Sequence, residues 1–327
     1  MKRRKLGKTD IEISPMGLGC WQFSQGKGLA SSMWSVLDQK SINAVVRSAL
    51  EGGTDWFDTA EAYGNGQSER SLTSALKNLD VKPGQVIIAT KWLPIFRTAA
   101  NLSRTIAKRL NCLQGYPIDL YQIHNPWSFS SIPSQMREMA KLLRAGKIRS
   151  IGVSNFSARE MTEASQTLEA EGLVLASNQV KISLLDRQIE QNGVLEAARK
   201  LGITLIAYSP LAQGLLTGKY HANPGLVKAL PAGRRLRFSP ANRAFNPENI
   251  RRTRPLIEAL AGIAASHGTS VSQVALAWLI TYYGDTVVAI PGASRPEQAG
   301  ENAAAMKLRL TDNERSQIEK ISARLAG

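Results

Sequence analysis

The sequence predicts an α/β fold: a (β/α)8 barrel of the TIM type with an N-terminal β-hairpin cap. Three observations lead there. Short apolar, β-branched runs recur eight times along the 327 residues. Their hydrophobicity is nearly continuous, which suits parallel strands buried on both faces. Helix-patterned amphipathic stretches separate them, and regular alternation of strand and helix reads as a closed parallel sheet wrapped by helices.

The elements follow in order. RRKLGKTDIEIS holds two short runs around Gly7–Asp10, a hairpin placed as a lid over the N-terminal end of the barrel. The strand runs are PMGLGCW (15–21), DWFDTA (55–60), QVIIATK (85–91), DLYQIHN (119–125), SIGVSN (150–155), SNQVKIS (177–183), ITLIAYSP (203–210) and TVVAIPG (286–292). Between them lie helices in QKSINAVVRSALEGG, from Ser41 to Glu51 with the glycines as C-cap, then GQSERSLTSALKNL and NLSRTIAKRLNCL. SQMREMAKLLRAGK, SAREMTEASQTLEAEG and GVLEAARKLG continue the series. Asn101 and Ser157 stand where N-caps belong. The longest irregular stretch runs from about Tyr220 to Asn249 and carries Pro224, Pro231, Pro240 and Pro247. A loop of that length in a compact domain is uncommon and often functional. Helices near 255–266 and 271–283 precede the eighth strand, and helices near 296–305 and 312–325 finish the chain. There are no repeats and no composition shift, so residues 1–327 read as one domain.

Composition bounds the function. Lys and Arg total 41 against 26 Asp and Glu, a net charge of +15, which favours anionic partners such as nucleic acid, an acidic membrane or a phosphate-bearing cofactor. Two cysteines, Cys20 and Cys112, form no disulfide framework and read as inert thiols of a reducing compartment. The start, MKRRKLGKTDIEISP, is basic with no apolar run after it, and no segment has the ~18 apolar residues of a membrane helix. The expectation is a soluble, cytoplasmic protein with no membrane partner.

Active sites of such barrels lie at the C-terminal ends of the strands. The second strand run ends in Asp58 with Tyr63 in the loop beyond, the third ends in Lys91, and the fourth ends in His124. All four converge on one mouth. A free phenol has a pKa near ~10 and donates poorly at neutral pH, whereas an adjacent ammonium lowers that value. Lys91 is expected to play this part, with Asp58 holding it charged and His124 binding a carbonyl oxygen. General acid catalysis by such a tyrosine is worth roughly 10²–10⁴-fold. The three histidines, His124, His221 and His267, are far apart and no Cys/His spacing resembles a zinc pattern, so no metal is expected.

Here the sequence resembles the aldo-keto reductases. DWFDTAEAYGNGQSE (55–69), TKW (90–92), QIHNP (122–126), GVSNF (152–156), NQV (178–180), AYSPLAQGLLTGKY (207–220) and IPGASRPEQAGEN (290–302) fall in the family's order along essentially the whole chain. The resemblance implies a catalytic tetrad of Asp58, Tyr63, Lys91 and His124. It implies NADP(H), with NAD(H) less favoured, held without a Rossmann glycine fingerprint. Ser154, Asn155 and Gln179 match positions that grip the carboxamide, and Tyr208 matches the ring stacked on the nicotinamide. Ser209, Leu211, Gly214 and Lys219 match positions lining the pyrophosphate, Pro210, Gln213 and Arg234 are further expected cofactor-binding residues, and Ser294, Gln298, Glu301 and Asn302 match the adenosine end. Gly19, Cys20 and Trp21 sit beside cofactor and substrate, with Asp58 close by.

One departure stands out. Many members carry Lys-Ser after the IP, and an Arg further on, to hold the 2′-phosphate; here those positions read Gly292, Ala293 and Gln298. That form resembles the branch with the β subunits of voltage-gated potassium channels and related bacterial reductases, which is mostly NADP-linked. Arg295 and Ser294, at the start of the helix after the eighth strand, are then the expected phosphate ligands. The branch also raises an alternative, a cofactor-sensing regulatory subunit with little turnover.

Taken singly, each candidate has an ordinary explanation: Asp58 as a cap, Tyr63 as turn packing, Lys91 as a solvated strand-end charge, His124 as a core histidine. It is their joint placement at consecutive strand ends that argues for chemistry. Trp21, Trp92 and Trp127 each follow a strand and are expected as substrate-pocket walls, while Trp34, Trp56 and Trp278 read as packing. Arg234, Arg235, Arg237, Arg243, Arg251, Arg252 and Arg254 fall within 21 residues. With only Phe238 and Phe245 interleaved and no binding motif, a loop over a phosphate-rich cofactor explains them more economically than nucleic acid does. The expected partner is a small carbonyl or alcohol; its identity, the direction of reaction and the oligomeric state are not legible.

Overall fold

The computed structural model describes residues 2–28, 35–235 and 244–325. Trp34, Arg237, Phe238, Pro240 and Arg243 lie outside these residues, as does the side chain of Arg235. β1 (Arg4–Lys5) and β2 (Glu12–Ile13) pair antiparallel as the expected hairpin. Eight parallel strands follow: β3 (Leu18–Gly19), β4 (Trp56–Asp58), β5 (Ile87–Trp92), β6 (Leu120–Ile123), β7 (Ser150–Ser154), β8 (Leu175–Lys181), β9 (Thr204–Tyr208) and β10 (Val287–Ala289). They lie in sequence order across one sheet. Gly17 N donates to Ala289 O at 2.8 Å and Gly19 N to Pro291 O at 3.1 Å, so the last strand meets the first and the barrel closes.

Side-chain alternation divides the core. Trp56, Ala89, Leu120, Ile206 and Val288 point inward, and Leu6, Ile11 and Ile13 of the hairpin join them from below. Burying these apolar chains is what holds the hairpin against the barrel. At its turn Gly7 has φ +58°, and a Cβ there would stand 2.5 Å from Ala176 O; only glycine lets the turn lie this close. Trp56 donates its Nε1 to Ser14 O at 2.9 Å, a packing role as expected. Outward-facing residues such as Phe57, Ile88, Tyr121 and Ile123 pack instead under the surrounding helices.

Several helix ends differ from expectation. The first helix is Gln39–Glu51, capped by Asp38, whose carboxylate accepts from Ser41 N. Ser157 caps Ala158–Glu169 in a reciprocal capping box with Glu160. Asn101 is no cap: it lies inside the helix Ala100–Cys112, and its Oδ1 accepts from Trp92 Nε1 at 3.0 Å. The stretch after β9 is not irregular throughout. Lys219–Ala222 and Ala232–Arg235 are single helical turns, and Tyr220, Leu230, Phe245 and Ile250 gather into a small core of their own. The next helix spans Pro247–Ser266 with Pro255 inside it, starting earlier than expected because Asn246 caps it through Asn249 N at 2.6 Å.

Candidate active site

At the C-terminal mouth, the inward positions of the strands turn polar. Asp58 continues the inward face of β4 from Trp56, and Lys91 that of β5 from Ala89. Lys91 Nζ lies 2.5 Å from Asp58 Oδ1 and donates to Thr59 O at 2.9 Å. Asp58 Oδ2 accepts from Gln122 Nε2 at 3.0 Å and Gln179 Nε2 at 2.8 Å. Both charges are buried, and the carboxylate is fully occupied by donors, the condition under which a buried pair persists. Burial alone would lower the Lys91 pKa; Asp58 and Tyr63 outweigh it, and the ammonium titrates above its ordinary value.

Tyr63 stands over this pair, its ring centroid 5.1 Å from Lys91 Nζ. Trp21 stacks on one side at 5.8 Å, and His124 meets the ring edge at 5.9 Å and 81°. One expectation is corrected here. Burial raises the phenol pKa more than Lys91 lowers it, so Tyr63 titrates above its ordinary 10 and holds its proton. For His124, burial first and Lys91 second push the imidazole down to about 3, so it is neutral at physiological pH. Its Nδ1 is buried without a hydrogen-bond partner among the described residues.

A cavity of about 1010 Å³ runs from Tyr63 and His124 across the mouth to the helix Pro296–Ala304. Along it the structure brings together Gly19, Cys20, Trp21, Asp58, Ser154, Asn155, Gln179 and Tyr208 at the tetrad end. Ser209, Pro210, Leu211, Gln213, Gly214, Lys219 and Arg234 line it too, as do Gly292, Ala293, Ser294, Arg295, Gln298, Glu301 and Asn302. Tyr208 Oη donates to Asn155 Oδ1 at 3.0 Å, and Asn155 Nδ2 to Ser154 Oγ at 3.1 Å, which fixes the amide at the mouth. Ser294 N and Oγ both donate to Gln298 Oε1, at 2.9 and 3.1 Å. Lys91 lies behind Tyr63 and Asp58 and does not line the cavity.

The pattern of the "Aldo/keto reductase family" matches residues 15–323. The chain belongs to the aldo/keto reductase family. An uncharacterized oxidoreductase of Mycobacterium tuberculosis is 39% identical over 315 residues, covering 94% of this chain and 88% of that protein. The chloroplastic pyridoxal reductase of Arabidopsis thaliana is 32% identical over 331 residues, covering 97% of this chain and 85% of that one. Among solved structures, an aldo-keto reductase from Klebsiella pneumoniae in complex with NADPH superposes with a TM-score of 0.71 at 26% identity, covering 98% of this chain and 95% of that one. Membership makes the chain an oxidoreductase of a family that works on small carbonyl compounds with nicotinamide cofactors.

Seen as an aldo/keto reductase, the chain departs from the sequence reading in two places. Trp92 is not a pocket wall. It is the residue after inward-facing Lys91 on β5, so it points outward, 0% exposed, into the helix layer. Trp127 is 70% exposed on the loop after β6 and lies outside the cavity lining. The departure at 292 also has a physical reason: a Cβ on Gly292 would stand 2.4 Å from Gln22 Nε2, so Gln22 fills the room a longer side chain would need. Gln22, Ser270, Ser272 and Glu297 line the cavity and escaped the sequence reading, as did Gln122. Strand parity was the usable signal for Gln122, two positions before His124 on the same face. Cys20 is buried with its thiol pushed well up by burial, in keeping with an inert role. Among the described residues no cluster of metal-binding side chains occurs, and no helix is long and apolar enough to cross a membrane.

Proposed function

We propose that the protein is an NADP(H)-dependent reductase that interconverts an aldehyde or ketone and its alcohol, with Tyr63 as the proton donor. The observation that carries this is Tyr63 set with its ring 5.1 Å from buried Lys91 and 5.9 Å from His124, on the lining of a cavity of about 1010 Å³.

The groove suits that cofactor. Gln22 Oε1 and Gln213 Oε1 are buried there without hydrogen-bond partners among the described residues, and the N-terminus of the helix Pro296–Ala304 opens onto it with Arg295 at the cap. Ser154, Asn155 and Gln179 would hold the carboxamide, Tyr208 would stack on the ring, and Arg234 and Lys219 would face the phosphates. A bound nicotinamide supplies the hydride to the carbonyl carbon. The chain's own residues manage the proton. Tyr63 donates from Oη to the carbonyl oxygen as negative charge develops there, and Lys91 steadies the phenolate left behind. Asp58 keeps Lys91 charged and in place. His124, neutral, can hydrogen-bond the same oxygen without competing for its proton, and it helps orient the carbonyl. The burial that raises the phenol's pKa keeps Tyr63 in its donor form before substrate arrives.

The experiment is steady-state turnover of an aldehyde panel, pyridoxal included because a relative is named for it, with NADPH oxidation as readout. Tyr63→Phe should lose about 10²-fold or more of kcat while binding NADPH as wild type does. Retention of more than about a tenth of wild-type kcat would overturn the assignment of Tyr63.

A further inference from the structure

Two residues before Tyr63, Glu61 turns away from the cavity into a buried polar cluster. Its Oε1 accepts from Leu93 N and from Arg97 Nη1, both at 2.6 Å. Its Oε2 faces Arg109 Nε at 3.7 Å, and Arg109 Nη1 lies 2.5 Å from Glu69 Oε2. Glu69 Oε1 in turn accepts from Thr90 Oγ1 at 2.6 Å, and Thr90 adjoins Lys91 on β5. The main chain joins at the same point: Glu61 N donates to Lys91 O at 3.2 Å, and Gly66 N to Glu61 O at 2.9 Å.

The loop that bears Tyr63 is thus held from two sides. From inside the barrel Lys91 Nζ donates to Thr59 O. On the hidden side Glu61 ties the loop to the chain leaving β5 and, through Arg109, to the helix Ala100–Cys112. Both fastenings fall within the short segment from Thr59 to Tyr63, at its first residue and at Glu61, two residues before the phenol. Proton donation depends on placement: a misplacement of about 1 Å costs on the order of 10²-fold in rate.

Resting on the role proposed for Tyr63, we infer that Glu61 is a positioning residue that fixes where the Tyr63 hydroxyl stands relative to Lys91 and His124. It touches neither cofactor groove nor substrate. Its substitution therefore acts on kcat and leaves coenzyme affinity alone.

The test is a series at Glu61 with Arg97→Gln and Tyr63→Phe alongside. Glu61→Ala should lower kcat by about 10- to 100-fold, with NADPH Kd within about 2-fold of wild type. Glu61→Gln keeps a carbonyl oxygen for Leu93 N and Arg97, and should recover at least about 5-fold of the lost kcat. Arg97→Gln removes one donor from the partly exposed edge of the cluster and should lower kcat about 3-fold in a folded protein, which keeps the test open if Glu61→Ala does not fold. The inference is overturned if folded Glu61→Ala turns over at the wild-type rate, if coenzyme affinity falls in step with kcat, or if Glu61→Gln is no better than Glu61→Ala; where Glu61→Ala does not fold, unchanged kcat in Arg97→Gln overturns it. A Tyr63→Phe protein that still turns over removes the reading beneath it; an inactive Tyr63→Phe beside unaffected Glu61 variants removes this inference alone.

Discussion

Lys91 Nζ rests 2.5 Å from Asp58 Oδ1, and neither side chain meets solvent. Each charge is tolerable there only because of the other. Asp58→Asn should therefore cost about 3–5 kcal/mol of stability by stranding a buried ammonium. The double variant Asp58→Asn/Lys91→Met removes both charges and should regain much of that loss while staying inactive. Denaturant unfolding of the single and double variants decides; a double variant less stable than the single one would contradict the pairing.

His124 gives the protein an acid-sensitive component. In the unfolded chain the imidazole takes a proton near its ordinary 6.5, whereas in the folded protein burial and Lys91 delay this to about 3. A depressed folded value means stability that is complete above about 6.5 and drains away as pH falls towards about 3. Replacing His124 with Gln should flatten the stability profile across that window, by up to roughly 4 kcal/mol at its lower end. Unfolding midpoints measured from pH 7 to 4 that run parallel in the two proteins would rule this out.

Coenzyme choice should rest on Arg295. Arg295 is the N-cap of Pro296–Ala304 and lines the groove, where its charge would offset the carboxylates of Glu297 and Glu301 on the same lining. Charge-assisted bonds of this type contribute about 1.5–3 kcal/mol, or roughly 10- to 150-fold in Kd. Wild type should prefer NADPH to NADH, and Arg295→Ala should erase most of the preference. Equal wild-type affinities for the two coenzymes would defeat the assignment outright. A preference that survives Arg295→Ala would place the phosphate elsewhere.

The two tryptophans should separate cleanly. Trp92→Ala opens a cavity in the helix layer and should cost about 3–5 kcal/mol with little change in KM. Trp127→Ala, on an exposed loop three residues past His124 and outside the cavity lining, should leave stability within about 0.5 kcal/mol and KM unchanged. Thermal unfolding and substrate titration of both variants provide the comparison, and reversed outcomes would mean the two side chains have been confused.

Much of this architecture is written locally. All eight barrel strands coincide with apolar β-branched runs, because a strand buried on both faces must be apolar throughout. Asp58, Lys91 and His124 were legible as candidates because each stands at the end of a strand on its inward side, and Tyr63 because it follows in the loop after β4. What misled was position without parity: Trp92 follows Lys91 directly, and adjacent strand residues face opposite ways. Asn101 looked like a cap but lies within its helix, held by a tryptophan nine residues earlier. The state of Tyr63 depends on how many atoms surround the ring, and the Glu61 cluster on how Ala100–Cys112 packs; neither leaves a mark in the local sequence.

The N-terminal hairpin lends the molecule a division of labour. Leu6, Ile11 and Ile13 cork the barrel at the end opposite Tyr63, with Arg4 reaching Ile280 O at 2.6 Å to pin the cork. Loosening it would let water climb the inner column of side chains from beneath while every residue around the mouth kept its neighbours. Damage done at the base is thus felt as shortened lifetime at temperature, and damage done at the top as slower turnover, so the two kinds of injury can be told apart by where along the barrel axis they strike.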